Sequence, residues 1–396
     1  MTQRWIWQST AWPQFDWQNK HVQASLRACH HRLGVLSGKT SSASNTQQSL
    51  DTLLANILAS SAIEGELLNA ESVRSSLANH LGVNNEQPYS VSDQSEGLAD
   101  LMLDALTNLT APLTEKRLYQ WHRWLFPESS RPMTHSLRVG ELRGNEPMQV
   151  VSGRLDKQKV HFEAPPRSEL ETGLTEFLGW FNQTAKDNSL DPLIRAAISH
   201  FWFITLHPFD DGNGRLTRAL TDLALAQGDN HSVRLYAMSV AILEHRNSYY
   251  QALEAAQAYP DDLDEVSRSA IDSETNSEKS QQNKLDLTQW VQWFLETLLI
   301  SIDDAMTTID RTLTKTAFWQ RFNETQLNPE QRKVLNRLLD GGVKGFEQGI
   351  SAAQYQKVAK VSKATATRHL ADLLEKGCIQ KLPGRGRSTR YKKSAL

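Results

Sequence analysis

Cysteine and long apolar runs are scarce in this chain of 396 residues. Its two cysteines, Cys29 and Cys378, lie far apart and lack metal-ligand spacing, which excludes a disulfide framework and a zinc finger. No run approaches the ~18 apolar residues that span a bilayer, and the first residues lack the basic segment and apolar core of a secretory signal. We therefore expect a cytoplasmic protein without a membrane partner.

The chain also lacks a large net charge, which is −2 in total. The charged residues are, however, unevenly distributed along the sequence. Residues 357–396 hold eleven Lys or Arg against Asp372 and Glu375, a net +9, so residues 1–356 carry −11. A small basic module joined to an acidic body favours a nucleic-acid partner for the module.

Hydrophobic periodicity predicts a mainly α-helical chain with one β-hairpin. The hairpin is expected at about 148–163, where two β-leaning runs flank a polar turn. We divide the chain into a Trp-rich helical region (1–49), a helical body (50–260), a polar linker or loop (261–286), a helical connector (287–325) and a C-terminal domain (326–396). The tryptophans of the first region are interpreted as anchors to a neighbouring core.

The segment from His207 to Arg218 concentrates polar groups between two helices that each carry an apolar stripe. The first helix, near 191–206, ends just before His207, and the next begins at about Asn213. Gly212 and Gly214 let the backbone approach an anion closely, and the amides of 212–214 can converge where the positive pole of a helix begins. The segment therefore predicts a phosphate-binding loop.

The side chains of this segment indicate phosphotransfer chemistry. Arg215 and Arg218 are three residues apart on one helix, so their guanidinium groups are expected over the same region. Asp211 can offer an oxygen to Mg²⁺, and His207, neutral near pH 7, suits a general base. Singly, these residues are more typical of a helix C-cap, a turn or a solvated helix start, and only their combination favours a site.

The string His207-x-Phe209-x-Asp211-Gly212-Asn213-Gly214-Arg215-x-x-Arg218 resembles the signature of the Fic family, whose members mostly transfer AMP from ATP to Ser, Thr or Tyr of target proteins. The resemblance implies a Fic-type helical bundle over about 50–260, with ATP as substrate and Mg²⁺ as cofactor. It implies that His207 is the catalytic base, that Asp211 binds the metal and that Phe209 packs the loop to the core.

The same resemblance implies a set of nucleotide-binding residues and a role for the hairpin. The implied set is Gly212, Asn213, Gly214, Arg215, Leu216, Thr217, Arg218, Tyr249 and Tyr250. The hairpin would act as a flap that pairs with an extended segment of the target. For the two tyrosines, ordinary helix packing is the alternative interpretation.

A second string, Ser60-Ser-Ala-Ile-Glu64-Gly65, resembles the inhibitory motif of the same family. The resemblance implies an inhibitory helix near 51–65, N-terminal to the catalytic loop, with Ser60 and Glu64 on one face. Glu64 is expected to pair with Arg215 and to block the pose of the γ-phosphate. A role of this glutamate in removing AMP stays open.

The C-terminal pattern resembles a winged helix-turn-helix. Helices are expected at 335–339, 355–359 and 364–375, with Ser362 as an N-cap and Gly377 as a stop, followed by two short strands around a basic turn. Expected DNA contacts are Lys363, Thr365, Thr367 and Arg368 on the recognition helix and Arg385, Arg387 and Arg390 on the wing. Such modules also serve protein docking, so a homodimer is the alternative partner.

The sequence thus favours an adenylyltransferase that moves AMP from Mg-ATP to a hydroxyl side chain of a target protein or of itself, autoinhibited by Glu64. Three alternatives remain open: transfer of another nucleotide-derived group, a nucleotide-sensing DNA-binding regulator with low turnover, and a helical scaffold with an anion site.

Overall fold

The fold is taken from a computed structural model that describes residues 4–40, 46–83, 89–130, 137–154, 157–228, 235–259, 284–341, 346, 348–383 and 389–394. The chain divides into two compact units, residues 1–303 and 304–396. The predicted wing residues Arg385 and Arg387 lie outside the described residues, as does most of the predicted linker.

Helices dominate the described chain. In order they are α1 Asn19–Thr40, α2 Thr46–Ile63, α3 Ala70–Leu81, α4 Asp93–Thr107, α5 Glu115–Leu125, α6 Arg167–Thr184, α7 Pro192–Leu206, α8 Asn213–Gly228, α9 Met238–Glu244, α10 Arg246–Gln257, α11 Thr288–Arg321, α12 Pro329–Asp340, α13 Ala352–Ala359 and α14 Lys363–Glu375. Short 3-10 turns occupy Ile6–Gln8 and Glu128–Ser130.

Polar caps define where several of these helices begin. The Asn69 side chain accepts hydrogen bonds from two amides at the start of α3, and Ser92 and Thr114 cap α4 and α5 in the same way. At α7, Asp191 accepts from the Leu193 amide and Pro192 occupies the first turn, where its missing N–H costs nothing. These caps fix the two helices, α5 and α7, that lead toward the polar loop.

The strands form four two-stranded pairs among the described residues. They are β1 Arg4–Trp5, β2 Phe15–Asp16, β3 Gln149–Arg154, β4 Lys157–Glu163, β5 Ala258–Tyr259, β6 Leu285–Asp286, β7 Ile379–Lys381 and β8 Tyr391–Lys393. β3 and β4 form the expected antiparallel hairpin, with a bulge between Val150 and Val151. β2 pairs in parallel with β6, so residues 285–286, at the end of the predicted linker or loop, form a short strand.

The tryptophan-rich segment belongs to the larger unit and packs against its hairpin and α7, as predicted. Trp5 meets Phe162 of the hairpin edge to face at 5.4 Å, and the Trp7 indole donates to the Glu163 carbonyl at 2.7 Å. Trp12 packs on Trp202 of α7. The core of the unit is built around α7 and α8, and in α7 every side chain from Leu193 to Leu206 is buried. The polar loop thus connects two helices, α7 and α8, that are buried along most of their length.

The C-terminal unit has its own core, formed by the end of α11, the helices α12–α14 and the strands β7 and β8. Its buried residues include Phe318, Leu335, Tyr355 and Leu373. Ser362 caps α14 through the Thr365 amide, and Gly377 adopts a left-handed φ of 73° just after it, so both predicted helix signals are confirmed. A bridge from Ile350 to Tyr391 extends the two-stranded pair.

No helix among the described residues combines the length and apolarity needed to cross a membrane.

Candidate active site

His207 ends α7 and begins the polar loop. Its amide donates to the Phe203 carbonyl and its backbone is left-handed, with φ 49°, so it is also the helix C-cap. The Nδ1 atom lies 3.2 Å from the Ile204 carbonyl oxygen, which can only accept, so Nδ1 carries the proton and Nε2 keeps its lone pair. Burial lowers the pKa of His207 to about 4, so the ring is neutral near pH 7. Nε2 can therefore accept a proton.

Gly212 begins the anion-binding part of the loop. It has a φ of 78°, and an added Cβ would lie 2.6 Å from Leu125 of α5. Only glycine fits this position without strain. Its amide donates to the Asp211 carboxylate at 2.5 Å, and that carboxylate is 63% exposed, so most of it faces solvent.

Asn213 closes the loop on itself. Its side-chain amide accepts from the Phe209 N–H at 2.9 Å and donates to the Phe209 carbonyl at 2.8 Å. The Phe209 ring is fully buried, which agrees with its predicted packing role. The Asn213 side chain therefore shapes the loop, and phosphate contact is left to its backbone.

A cavity of about 790 Å³ opens beside this loop. That volume lies within the range of small-molecule sites. Its walls include His207, the loop residues 210–214, the hairpin residues 148–152 and one face of α10. The imidazole, the predicted metal ligand and the glycine amides thus share one cavity.

The two arginines are not among the described residues that line this cavity, whereas Glu64 is. Arg218 is 3% exposed, and it donates to Glu64 at 2.8 Å, to the Ser60 hydroxyl at 2.8 Å and to the Ser60 carbonyl at 2.7 Å. Arg215 pairs with Glu66 and lies over the Phe126 ring at 4.9 Å. The expected pairing of Glu64 with Arg215 is wrong, since the partner of Glu64 is one helical turn further along α8.

Glu64 also lies against the start of α8. A Cβ on Gly214 would come within 2.1 Å of the Glu64 carboxylate oxygen. An internal carboxylate therefore sits at the helix N-terminus, where an anion is favoured by the helix dipole and the free amides. Gly65, with a φ of 82°, lets the chain turn after α2 and point this side chain inward.

Two further residues hold α2 in place, and sequence reasoning missed both. The Asn56 side chain donates to buried Asp222 of α8 at 2.8 Å and accepts from the Ser239 amide of α9 at 3.0 Å. Burial raises the pKa of Asp222 to about 7. Glu66, which takes Arg215, also accepts from Gln94 of α4. Asn56, Ser60 and Glu64 are four residues apart, and this spacing could have predicted that they share one face of the helix and contact the same neighbour.

The remaining predicted nucleotide-binding residues divide by burial. Leu216 and Thr217 are fully buried, and the Thr217 hydroxyl donates to the Asn213 carbonyl, so their side chains do not reach the cavity. Tyr249 and Tyr250 both line it. Tyr249 is 2% exposed and its hydroxyl lies 2.9 Å from His200, so only its ring can contact a ligand in the cavity. Tyr250 is 36% exposed.

The hairpin closes one side of the cavity. His161 and Lys159 of β4 contact Glu254 of α10 at 3.0 and 2.8 Å. On β3, Val151 is 42% exposed. β3 thus places the Val151 side chain, and the backbone edge that is not paired with β4, at the mouth of the cavity.

Comparison with known families finds two matches along this chain. Residues 112–225 match the Fic/DOC family, and residues 5–83 match a Domain of unknown function (DUF4172). The stretch that matches the Fic/DOC family includes the hairpin, the polar loop and most of α8. The second match extends across the predicted boundary at 49–50 and includes Ser60, Glu64 and Gly65.

Individual relatives carry the same family name. The chain is 28% identical to Protein adenylyltransferase Fic of Drosophila mojavensis over 197 residues, 49% of this chain and 34% of that protein. It is 34% identical to Protein adenylyltransferase fic-1 of Caenorhabditis elegans over 111 residues, 27% and 20% of the two chains. The matches thus span about a third or less of these relatives.

One solved structure aligns along nearly the whole chain. A Fic family protein from Desulfovibrio desulfuricans G20 covers 97% of this chain and 98% of its own, with a TM-score of 0.52 and 18% identity. This likeness concerns the fold alone. The predicted mainly α fold with a Fic-type helical bundle and a β-hairpin is confirmed, whereas the C-terminal winged helix-turn-helix stays a prediction.

Proposed function

We propose that this chain is a protein adenylyltransferase, which moves AMP from Mg-ATP to a hydroxyl side chain of a protein, itself included. The carrying observation is that an unprotonated His207 Nε2, the Asp211 carboxylate and the amides of Gly212–Gly214 share one cavity within the stretch that matches the Fic/DOC family. The names of the relatives support AMP as the transferred group.

The proposed reaction is an in-line displacement. The target hydroxyl oxygen attacks the α-phosphorus, its proton passes to His207 Nε2, and the bond from the α-phosphorus to the bridging oxygen breaks so that pyrophosphate leaves. The amides at the start of α8 and the two arginines stabilise the negative charge of the phosphates. Arg215 Nε and Arg218 Nη1 are buried with no hydrogen-bond partner among the described residues, so each arginine keeps an unused donor that a phosphate oxygen could accept from once Glu64 and Glu66 move away.

Asp211 fits a magnesium ligand. Its exposed carboxylate has one close partner, the Gly212 amide, with the Arg215 guanidinium next at 3.9 Å. Oxygen donors of this kind, completed by phosphate oxygens, are what Mg²⁺ prefers. The ion would neutralise charge on the phosphates and the leaving pyrophosphate.

The same geometry supports autoinhibition. Both arginines are neutralised by the α2 segment, by which we mean α2 and the residues 64–66 that follow it: Glu64 pairs with Arg218 and Glu66 with Arg215. The Glu64 carboxylate also occupies the anion position beside Gly214. ATP that enters the cavity can place its adenosine and α-phosphate, but its terminal phosphates compete with these carboxylates. Release requires a shift of population toward an undocked α2 segment.

The hairpin is proposed as the target-binding element. The exposed edge of β3 at the cavity mouth can pair with an extended target segment and present a side-chain hydroxyl to His207. The Val151 side chain offers an apolar contact for the residue that flanks the hydroxyl.

A DNA-binding role is proposed for the C-terminal unit as a winged helix. Lys363, Thr367 and Arg368 are exposed on the first turns of α14, which supports a recognition helix. Thr365 bonds Ser362 and is half-buried. Arg390 donates to the Gly349 carbonyl at 2.9 Å, so this predicted wing residue has a structural partner instead.

Position-specific labelling of ATP tests the reaction. We expect label on the α-phosphate to enter protein and label on the γ-phosphate not to, because the cleaved bond lies between the α- and β-phosphates. Label from the γ-position would indicate a kinase. Label from neither position, together with nucleotide-dependent DNA binding, would favour the regulator.

A further inference from the structure

His122 of α5 lies beside the polar loop, next to the Asp211 backbone, and is fully buried. The Gly140 amide donates to its Nδ1 at 2.9 Å, so Nδ1 carries no proton. Its Nε2 lies 3.1 Å from the Asp211 carbonyl oxygen, which can only accept, so Nε2–H is the donor there. The two partners fix one neutral tautomer.

The surroundings of His122 keep it in that state. Its ring stacks on Phe209 with centroids 4.3 Å apart and planes at 15°, and it meets Phe126 edge to face at 5.0 Å. Burial lowers its pKa to about 4. A second ring proton would point at the Gly140 N–H and could not be satisfied.

The other end of the loop is tied to the same segment, residues 137–144. The Arg143 guanidinium Nε donates to the His207 carbonyl at 2.8 Å, and the Arg143 amide donates to the Pro208 carbonyl at 3.0 Å. Arg143 is 2% exposed. Gly140 and Arg143 therefore link the backbone of the proposed base and that of the proposed metal ligand to one short piece of chain.

We propose that His122 is a positioning residue for the transfer reaction: it holds the Asp211 end of the loop to the 137–144 segment, and so fixes the separation between the His207 imidazole and the Asp211 carboxylate. The inference rests on the proposed adenylyltransferase function. Chemistry of this kind depends on placement, and a displacement of about 1 Å can cost roughly 100-fold in rate.

The test uses three substitutions in a Glu64→Gly background, where transfer is measurable. His122→Phe keeps a ring against Phe209 but removes both hydrogen bonds. His122→Gln places an amide N–H near the position of Nε2 and can restore the bond to Asp211. His80→Phe is the matched control, because His80 is an exposed histidine of α3 that contacts Glu96 and Asp100 of α4.

Two readouts are compared: kcat and KM for ATP, and hydrogen–deuterium exchange of the peptide that covers 207–214. For His122→Phe we expect kcat to fall roughly 100-fold with a KM within a few-fold of the parent. We also expect faster exchange confined to the loop peptide. His122→Gln should recover part of both, and His80→Phe should change neither.

Unchanged kcat and unchanged loop exchange in His122→Phe would overturn the inference, as would faster exchange in every peptide, which indicates general destabilisation. If the Glu64→Gly parent transfers no AMP, the proposed function fails. Loop exchange in His122→Phe still decides whether His122 holds the loop.

Discussion

Replacing Glu64 should convert a restrained enzyme into an active one. The Glu64–Arg218 contact is a charge-assisted hydrogen bond of 2.8 Å between side chains that are 33% and 3% exposed. Glu64→Gly removes it and also vacates the position beside Gly214 where a phosphate would bind. Arg218 keeps its two bonds to Ser60, so the arginine remains in place and its charge becomes available.

The size of the effect follows from that one contact. A hydrogen bond to a charged group contributes about 1.5–3 kcal/mol. Since 1.36 kcal/mol corresponds to a factor of ten, the AMP-transfer rate should rise roughly 10- to 150-fold. Glu64→Gln keeps the shape but loses the charge, so its rate should lie between those of wild type and Glu64→Gly.

The assay is the initial rate of AMP incorporation from α-labelled ATP with Mg²⁺, for wild type and both variants. Glu71→Gln is the matched control, because Glu71 is exposed in the first turn of α3 and makes no ion pair among those found in the described residues. Equal rates for wild type and Glu64→Gly, in preparations where His207→Ala abolishes incorporation, would refute the inhibitory role.

Further predictions concern the loop, the core and the C-terminal unit. Gly212→Ala should lower the free energy of unfolding by about 1–3 kcal/mol, measured by urea denaturation, because a Cβ there meets Leu125 at a left-handed φ. Burial lowers the pKa of His200 to about 3, so the native state binds fewer protons than the unfolded chain below about pH 6.5. Its contribution to stability is therefore lost as the pH falls through that value, by about 2 kcal/mol from pH 6.5 to 5. Urea denaturation at pH 7 and pH 5 should show a smaller pH dependence for His200→Gln than for wild type, and equal dependence would contradict the assignment. Lys363→Ala and Arg368→Ala should each weaken DNA binding at every sequence and reduce the slope of log affinity against log salt by about 1, whereas an unchanged slope would favour a protein-docking role.

The local pattern of the sequence was enough to predict the elements that position the site. Apolar stripes located α7 and α8, two β-leaning runs around a polar turn located the hairpin, and Ser362 and Gly377 marked the ends of α14. The concentration of imidazole, carboxylate, glycines and arginines between two core helices indicated anion chemistry before any geometry was known. These features depend on residues close together in the sequence, so they can be recognised without knowing any contact between distant segments.

Contacts between distant segments could not be predicted in this way. The partner of Glu64 depends on how the chain at the end of α2 packs against α8. In the fold, this packing brings the Glu64 carboxylate to Arg218 rather than to Arg215. Glu66 belongs to a turn, where no periodicity indicates a direction. His122 is an ordinary apolar-face position in α5, and its role emerges only from the loop that folds over it.

Intact-protein mass spectrometry of the Glu64→Gly variant, after incubation with ATP and Mg²⁺, tests the central claim most directly. A gain of about 329 Da per modified hydroxyl is expected from the covalent addition of one AMP unit, on the variant itself or on an added target. The gain should disappear in the Glu64→Gly, His207→Ala double variant. No mass gain on any protein in the mixture, or the same gain with and without His207, would contradict the account.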